Sequence, residues 1–438
     1  MISILANRTY RHLLLAQVVA LVGTGLATVA LGLLAFDLAG GNAGAVLGTA
    51  LALKMIAYIV IGPIVGAYAD RLPRRGFLVA MDLVRCAVAL VLPFVDEVWQ
   101  VYVLIFALQS ASAAFTPTFQ ATIPDVLPDE ADYTRALSLS RLAYDLESLL
   151  SPMLAAALLT VIGFHWLFVG TAIGFVGSAL LVLSVTLPRS PAKPRTGGIY
   201  AHTTRGIRFY LKTPRLRGLL AVNLAAAAAS AMVIVNTVVI VRDTFGYDQR
   251  EVALTLAAYG GGSMLAALML PRLLDRIADR TIMLSAAAAL TLLLGALALL
   301  PLGSWPLLLG GWFLLGSAYA MSITPSGRLL RRSAAASDRP AIFAAQFALS
   351  HACWLIAYPL AGQVGARFDQ QTAFAVLAML AALGTLAALL FWPKDDPQRL
   401  AHHHPDLPPD HPHLAGANEH AHDFVIDDLH LHWPRQGA

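Results

Sequence analysis

Apolar residues run along this chain in blocks of about 20 residues, the length of helix needed to cross a bilayer. Such blocks lie near 11–36, 44–69, 76–94, 99–122, 136–160 and 164–187, and again near 217–241, 251–271, 281–302, 305–325, 341–365 and 370–392. Polar residues gather in the short connections and in two longer stretches, 188–216 and 394–438. The pattern predicts an all-α membrane protein with twelve transmembrane helices in two six-helix bundles, 1–187 and 217–393. A basic linker, 188–216, joins the bundles, and a polar tail, 394–438, is expected to be disordered. Six spans, a linker and six more is the mark of an internal duplication. The first block follows Arg8 and Arg11 as a signal peptide would, but it continues to Phe36 and others follow, so it reads as an uncleaved first span.

Composition sharpens this. Of 438 residues, 58% are hydrophobic and 13% charged, against roughly 45–50% and 25% in soluble domains. The formal charge of +4 comes from arginines at span ends, which excludes a nucleic-acid footprint. Cys86 and Cys353 both lie in apolar blocks, so neither a disulfide framework nor a Cys-x-x-Cys site is present. Alternate connections hold Arg71, Arg74 and Arg75, then Arg135, then a cluster from Arg189 to Arg217, then Arg272, Arg276 and Arg280, then Arg328, Arg331, Arg332 and Arg339; the others hold only Arg242, Arg250 and Arg367. The positive-inside rule therefore predicts a multi-pass protein with both termini cytoplasmic.

Between the second and third blocks stand Gly62, Gly66, Asp70, Arg71, Pro73, Arg74 and Arg75. A glycine for close helix approach, an Asp-Arg pair, a tight turn and two basic residues resemble motif A of the major facilitator superfamily, with Pro73 at a usual glycine. Gly66, Asp70, Arg71, Arg74 and Arg75 are then the expected conformational latch, a charge network at helix ends that holds one conformer until transport breaks it. A weaker echo follows in the second half, Gly260 to Gly262 and then Arg272, Asp275, Arg276, Asp279 and Arg280. Ser151, Pro152, Ala155 and Ala156 resemble the family's exporter motif with small residues substituted, whereas Phe106 stands where an arginine is usual before Gln109.

Of the 13 histidines, His402, His403, His404, His411, His413, His420, His422, His430 and His432 fall in the tail, among Asp406, Asp410, Glu419, Asp423, Asp427 and Asp428. Imidazole and carboxylate in a proline-broken segment suit Ni²⁺, Co²⁺, Zn²⁺ or Cu²⁺. An inert hydrophilic tail or a purification tag is the plainer alternative, but acids and prolines separate these histidines where a tag would be an unbroken run. With motif A, the tail resembles that of bacterial nickel-resistance exporters of the superfamily, which implies Ni²⁺ efflux by proton exchange.

Charges inside spans need a partner or a function. Asp82 and Arg85 are three apart on one helical face and can neutralise each other, as can Arg141 and Asp145, four apart. Glu147 is two residues past Asp145, on the opposite side of its helix, and is the first candidate for a proton or cation site; an interhelical pair with Lys54 is the structural alternative. Asp145, Asp82 and His351 are the further candidates, with His351 read either as a hydrogen-bonded core residue or as a ligand. Asn223, Asn236, Gln109 and Gln346 offer oxygens, and His165 lies near one mouth.

These readings predict a secondary active exporter of a divalent cation, most of all Ni²⁺, by proton antiport and alternating access. No catalytic residue and no bound cofactor are expected, and no phosphate-binding Gly-x-x-x-x-Gly-Lys-Ser/Thr loop is present for ATP. Two alternatives remain: an exporter of an organic cargo such as a drug or siderophore, with a metal-sensing tail, and a non-transporting metal receptor or buffer.

Overall fold

The computed structural model describes residues 2–68, 73–187, 199–300, 303–335, 338–396, 399–403, 419–427, 429–430 and 432–433. The first half holds α1 (Arg8–Ala39), α2 (Ala43–Tyr68), α3 (Arg74–Val91), α4 (Val98–Val126), α5 (Glu130–Leu159) and α6 (His165–Leu183). A linker helix α7 (Ile199–Lys212) leads to α8 (Pro214–Val239), α9 (Gln249–Leu274), α10 (Asp279–Leu299), α11 (Trp305–Ile323), the short α12 (Ser326–Arg332), α13 (Arg339–Arg367) and α14 (Gln370–Phe391). Leaving aside α7 and α12, twelve long helices occupy the twelve expected spans among the described residues. Among the described residues ten stretches are long and apolar enough to cross a membrane; one, Arg8–Val65, takes in α1 and most of α2. α5 is not among these stretches, which are drawn from the described residues.

The helices start where side chains satisfy the first free amides. Asn7 accepts from the Tyr10 amide at 3.0 Å and Asp369 from that of Thr372 at 2.6 Å. Glu97 with Gln100, and Asp248 with Glu251, close reciprocal capping boxes. Lipid supplies no hydrogen bonds, so these contacts and the helical ladder together leave few backbone groups unmet.

Helix direction alternates, so one end of the molecule, here called proximal, gathers the starts of α1, α3, α5, α8, α10 and α13 and the ends of the others. Most ion pairs among the described residues lie there, in a pattern that repeats between the halves. At the start of α3, Arg74 pairs with Asp125 at the end of α4, and Arg75 donates to the Leu183 carbonyl at the end of α6. At the start of α10, Asp279 takes Arg328 just past α11, at 2.5 and 3.2 Å, and Arg280 donates to the Trp392 carbonyl just past α14, at 3.1 and 3.2 Å. The same two joints thus recur with the charges of the first exchanged, which is the internal duplication seen in side chains. Each arginine that meets a terminal carbonyl also complements the negative end of a helix.

Packing separates the two ends. One core of buried residues runs through the whole second half and the distal part of the first, whereas Tyr10, Leu13, Leu78, Phe115, Phe119 and Ile123 form a separate core at the proximal end of the first half. The halves therefore share a core at one end only. At the distal end α2 and α13 touch through glycines: a Cβ on Gly362 would lie 2.0 Å from the Gly44 carbonyl oxygen, and one on Gly48 2.5 Å from that of Tyr358. Asn236 donates to the Ala361 carbonyl at 3.0 Å, and α8 ends in a π turn, Ile240–Thr244, whose Arg242 pairs with Asp37 at 3.1 Å. Toward the proximal end, Phe343 and Phe347 of α13 are 39% and 38% exposed although Phe347 faces α2. The structure is sealed distally and parted proximally.

The linker and part of the tail carry structure of their own. Within 188–216, α7 lays Phe209 (2% exposed) and Tyr210 (0%) against the second half, while Arg205 pairs with Asp338 at 3.1 Å. In the tail, β1 (Arg399–His403) and β2 (Glu419–Asp423) pair antiparallel, Leu400 opposite His422 and His402 opposite His420. Expectation of disorder therefore does not extend to these residues.

Two outcomes test this packing. Gly316→Val places a Cβ about 2.0 Å from the Tyr259 carbonyl, at the α9–α11 crossing where Ser263 and Ser317 donate to the carbonyls of Gly316 and Gly262. It should cost about 1–3 kcal/mol in thermal unfolding, against about 0.6 kcal/mol for Ser263→Ala; equal losses would contradict the close crossing. Gly362→Leu should break the distal seal, lengthening the distance between spin labels at 42 and 367, and an unchanged distance would show that the glycines do not set it.

Candidate functional site

Glu147 lies near the middle of α5, Lys54 of α2 and His351 of α13, so all three sit at mid-membrane depth. α1 contributes a gap. Gly25 has no side chain where a Cβ would stand 2.0 Å from the Ser151 Oγ and 2.9 Å from the Glu147 Oε1, and this lets α5 carry both polar groups against α1. The Ser151 hydroxyl and the Glu147 carboxyl both face Gly25, and Lys54 of α2 is the basic group whose charge is felt at Glu147.

The same Lys54 also acts on His351, in the other half. The His351 Nδ1 lies 2.6 Å from the Phe347 carbonyl oxygen, one turn back on α13. A carbonyl only accepts, so Nδ1 carries the proton and Nε2 presents a lone pair, to a proton or to a metal ion. Tyr58, one turn from Lys54 on α2, stacks on the His351 ring at 5.3 Å and 13°, and Phe347 packs on it at 4.0 Å. Lys54 thus links by its charge a carboxyl of the first half and an imidazole of the second, just where their shared core gives way to the proximal opening. The arrangement can exchange a proton or a cation between partners without ordering loops.

The other expected residues separate. Asp82 is fully buried, paired with Arg85 and accepting from the Ser178 hydroxyl at 2.8 Å, while Arg85 lies over Phe115 and Phe175 at 4.4 and 4.5 Å; this cluster is internal to the first half. The side chains of Arg141 and Asp145 lie outside the described residues, as do Asp70 and Arg71 of the latch. Gly66 closes α2, and Arg74 and Arg75 make the joints described above. Asn223 turns to its own Leu219 carbonyl, Gln346 takes the Tyr210 hydroxyl, and His165 packs on Phe164 at a helix start. Gln109 is buried in α4, 6% exposed. Of the tail histidines, His404, His411 and His413 lie outside the described residues, while His402, His403, His420 and His422 are placed in the strands by backbone only. His430 is buried and His432 exposed. Among the described residues no three metal-ligating side chains form a cluster.

Sequence reasoning missed Gly25, Tyr58, Ser151 as a neighbour of Glu147, Asp125 and α7. For α7 a signal existed: Ile199, Phe209 and Tyr210 recur on one side of a helix among basic residues.

The Major Facilitator Superfamily profile matches residues 13–303 and 219–412. The chain is 25% identical over 288 residues to the MFS-type transporter YfiS of Bacillus subtilis (strain 168), covering 61% of this chain and 65% of that one. It is 28% identical over 153 residues to macrolide efflux protein A of Enterococcus faecalis, covering 33% and 47%. It therefore spans less than two-thirds of either relative's length. Among solved structures it resembles the nucleoside transporter NupG (TM-score 0.65, 16% identity, 87% and 98% covered) and a D-xylose-proton symporter (0.64, 16%, 90% and 98%). At that identity the likeness concerns the fold. With the duplicated six-helix halves and the profile match along most of its length, the chain belongs to the major facilitator superfamily.

Proposed function

We propose that this transporter exports a divalent metal cation, Ni²⁺ in preference to Co²⁺ or Zn²⁺, from the cytoplasm in exchange for protons. The observation that carries the reading is the concentration of nine histidines between His402 and His432, on a carrier whose mid-membrane site offers a carboxyl and an imidazole nitrogen. Histidine and carboxylate together suit borderline metals. Lys54 is the built-in competitor: it holds Glu147 while cargo is absent and must yield when a cation or a proton arrives. One carboxyl shared in turn by ammonium, cargo and proton couples their movements, since each state excludes the others.

The arginine-rich end of the molecule is the proximal one, so the positive-inside rule supports a cytoplasmic proximal end in a cell inner membrane, with both termini there. The opening and the tail would then face the compartment from which cargo is collected. A tethered chelator raises the local ion concentration at that mouth.

A second reading has an observation of its own. Macrolide efflux protein A, by name an exporter of organic molecules, is among the similar proteins, and Tyr58 and Phe347 offer aromatic faces beside His351. In that case the tail senses metal. Uptake of ⁶³Ni²⁺ by everted vesicles separates the readings: uptake driven by an imposed proton gradient and abolished by a protonophore supports metal export, whereas macrolide resistance without metal uptake supports the organic cargo. Binding of metal with neither activity would leave a receptor or buffer.

Three outcomes follow. Glu147→Gln should abolish gradient-driven export while allowing downhill exchange, and unchanged export would remove Glu147 from coupling. Removal of residues 400–438 should lower metal resistance in part; full resistance would make the tail dispensable, and none would put it in the path or in folding. A cysteine at Ala421 should react with a membrane-impermeant maleimide in everted vesicles and not in intact cells; the opposite pattern reverses the topology.

A further inference from the structure

The end of the tail is docked on the second half. Phe424 and Ile426, each 2% exposed, belong to the core that contains α8 and α14. Arg215, in the first turn of α8 and 1% exposed, donates through Nη2 to the Phe424 carbonyl at 3.0 Å, pairs with Asp396 at 3.5 Å and lies with Cζ 5.0 Å over the Trp433 ring. Asp396 is held in turn by Arg332 and by the Trp392 indole at 3.1 Å. A buried guanidinium needs its hydration replaced, and here a tail carbonyl and a tail indole replace part of it. Phe424 meets the rings of His430 and Trp433 edge-on, at 4.8 and 5.2 Å.

His430 belongs to this joint. It is 4% exposed, and its Nδ1 lies 2.8 Å from the Asp427 Oδ1, which also accepts the amides of Leu429 and His430 at 2.9 and 2.8 Å. His432, two residues on, is exposed. The two members of one His-x-His pair are thus divided between the core and the surface.

We propose that a divalent cation taken up by the His430 and His432 pair releases the docked segment 424–433 from Arg215, so that the tail's hold on the second half is switched by metal. A single ion can take both imidazoles only when His430 leaves its cover, because its ring presents almost no surface while docked. Docking and chelation then compete for one side chain. By linkage, docking weakens the pair's metal affinity by the same factor that metal weakens docking. The released segment uncovers Arg215 at the start of α8, on the end where the halves part. The inference rests on the reading that the tail binds metal, and not on the body carrying it.

Hydrogen exchange on the full-length protein in nanodiscs, with and without NiCl₂, tests it, together with equilibrium dialysis of Ni²⁺ on the same sample. Exchange at the amides of 424–430 should accelerate about tenfold with Ni²⁺, within the usual range of coupling between sites. The acceleration should vanish in His432→Ala, which removes a surface ligand and leaves the docked contacts in place. Trp433→Ala should exchange fast without metal, and Arg215→Lys is a second probe of the same joint if Trp433→Ala is poorly expressed. Bound Ni²⁺ with unchanged or slowed exchange, or acceleration that persists in His432→Ala, overturns the switch. Dialysis that shows no bound Ni²⁺ overturns instead the reading of the tail as a metal ligand.

Discussion

A carboxyl on α5 and an amine on α2, each within reach of the other's charge at the middle of the membrane, constrain what surrounds them. Glu147 and Lys54 come from two helices of the first half, and each would cost several kcal/mol to leave there alone. Gly25 clears the space in which Glu147 and Ser151 can approach α1, and a side chain at that position would collide with both. His351 brings the second half to the same point, its tautomer set by a carbonyl one turn away. The pair is therefore stable only while its neighbours keep this geometry, and any change in protonation or cargo alters what the two halves gain by staying as they are.

The rest of the fold divides the labour between ends. The distal end is sealed by backbone contact between glycines, by Asn236 and by one ion pair, Arg242 with Asp37, which is half exposed and worth little. Contacts of this kind can be made and broken without leaving a buried charge behind. The proximal end is different: Arg74, Arg75, Asp279 and Arg280 tie helix ends within each half, not between them. Each half can then tilt as a body about the central site, as alternating access requires.

Much of this was legible in the chain. Twelve spans follow from hydropathy because lipid forces every backbone group into a helix. Glu147 stood out because a 200° offset from Asp145 denied it a partner on its own helix. Lys54 was recognisable as an interhelical partner only as one option, since the angle between α2 and α5 is tertiary. Gly25, Tyr58 and Asp125 matter through what crosses from another helix, and no periodicity reports that. Close helix approach illustrates the limit: a Cβ on Gly62, ahead of the expected latch, would be 3.6 Å from the nearest atom, an ordinary contact, whereas the weak echo at Gly262 marks a crossing where a Cβ would lie 1.9 Å from a carbonyl. Composition predicted the tail's chemistry but not its docking, because Phe424 and Trp433 are few among polar residues and their receptor, Arg215, lies over two hundred positions earlier.

The central claim is that Glu147 and Lys54 act as one unit. A double-mutant cycle with Glu147→Gln, Lys54→Met and both together, read as thermal stability in detergent, tests it most directly. Each single change leaves the other group's charge unopposed and should lower stability, while the double mutant, with neither charge, should recover much of that loss, giving a coupling of about 0.5–3 kcal/mol. Additive losses would mean that the two charges do not meet, and the account of coupling built on them would fail.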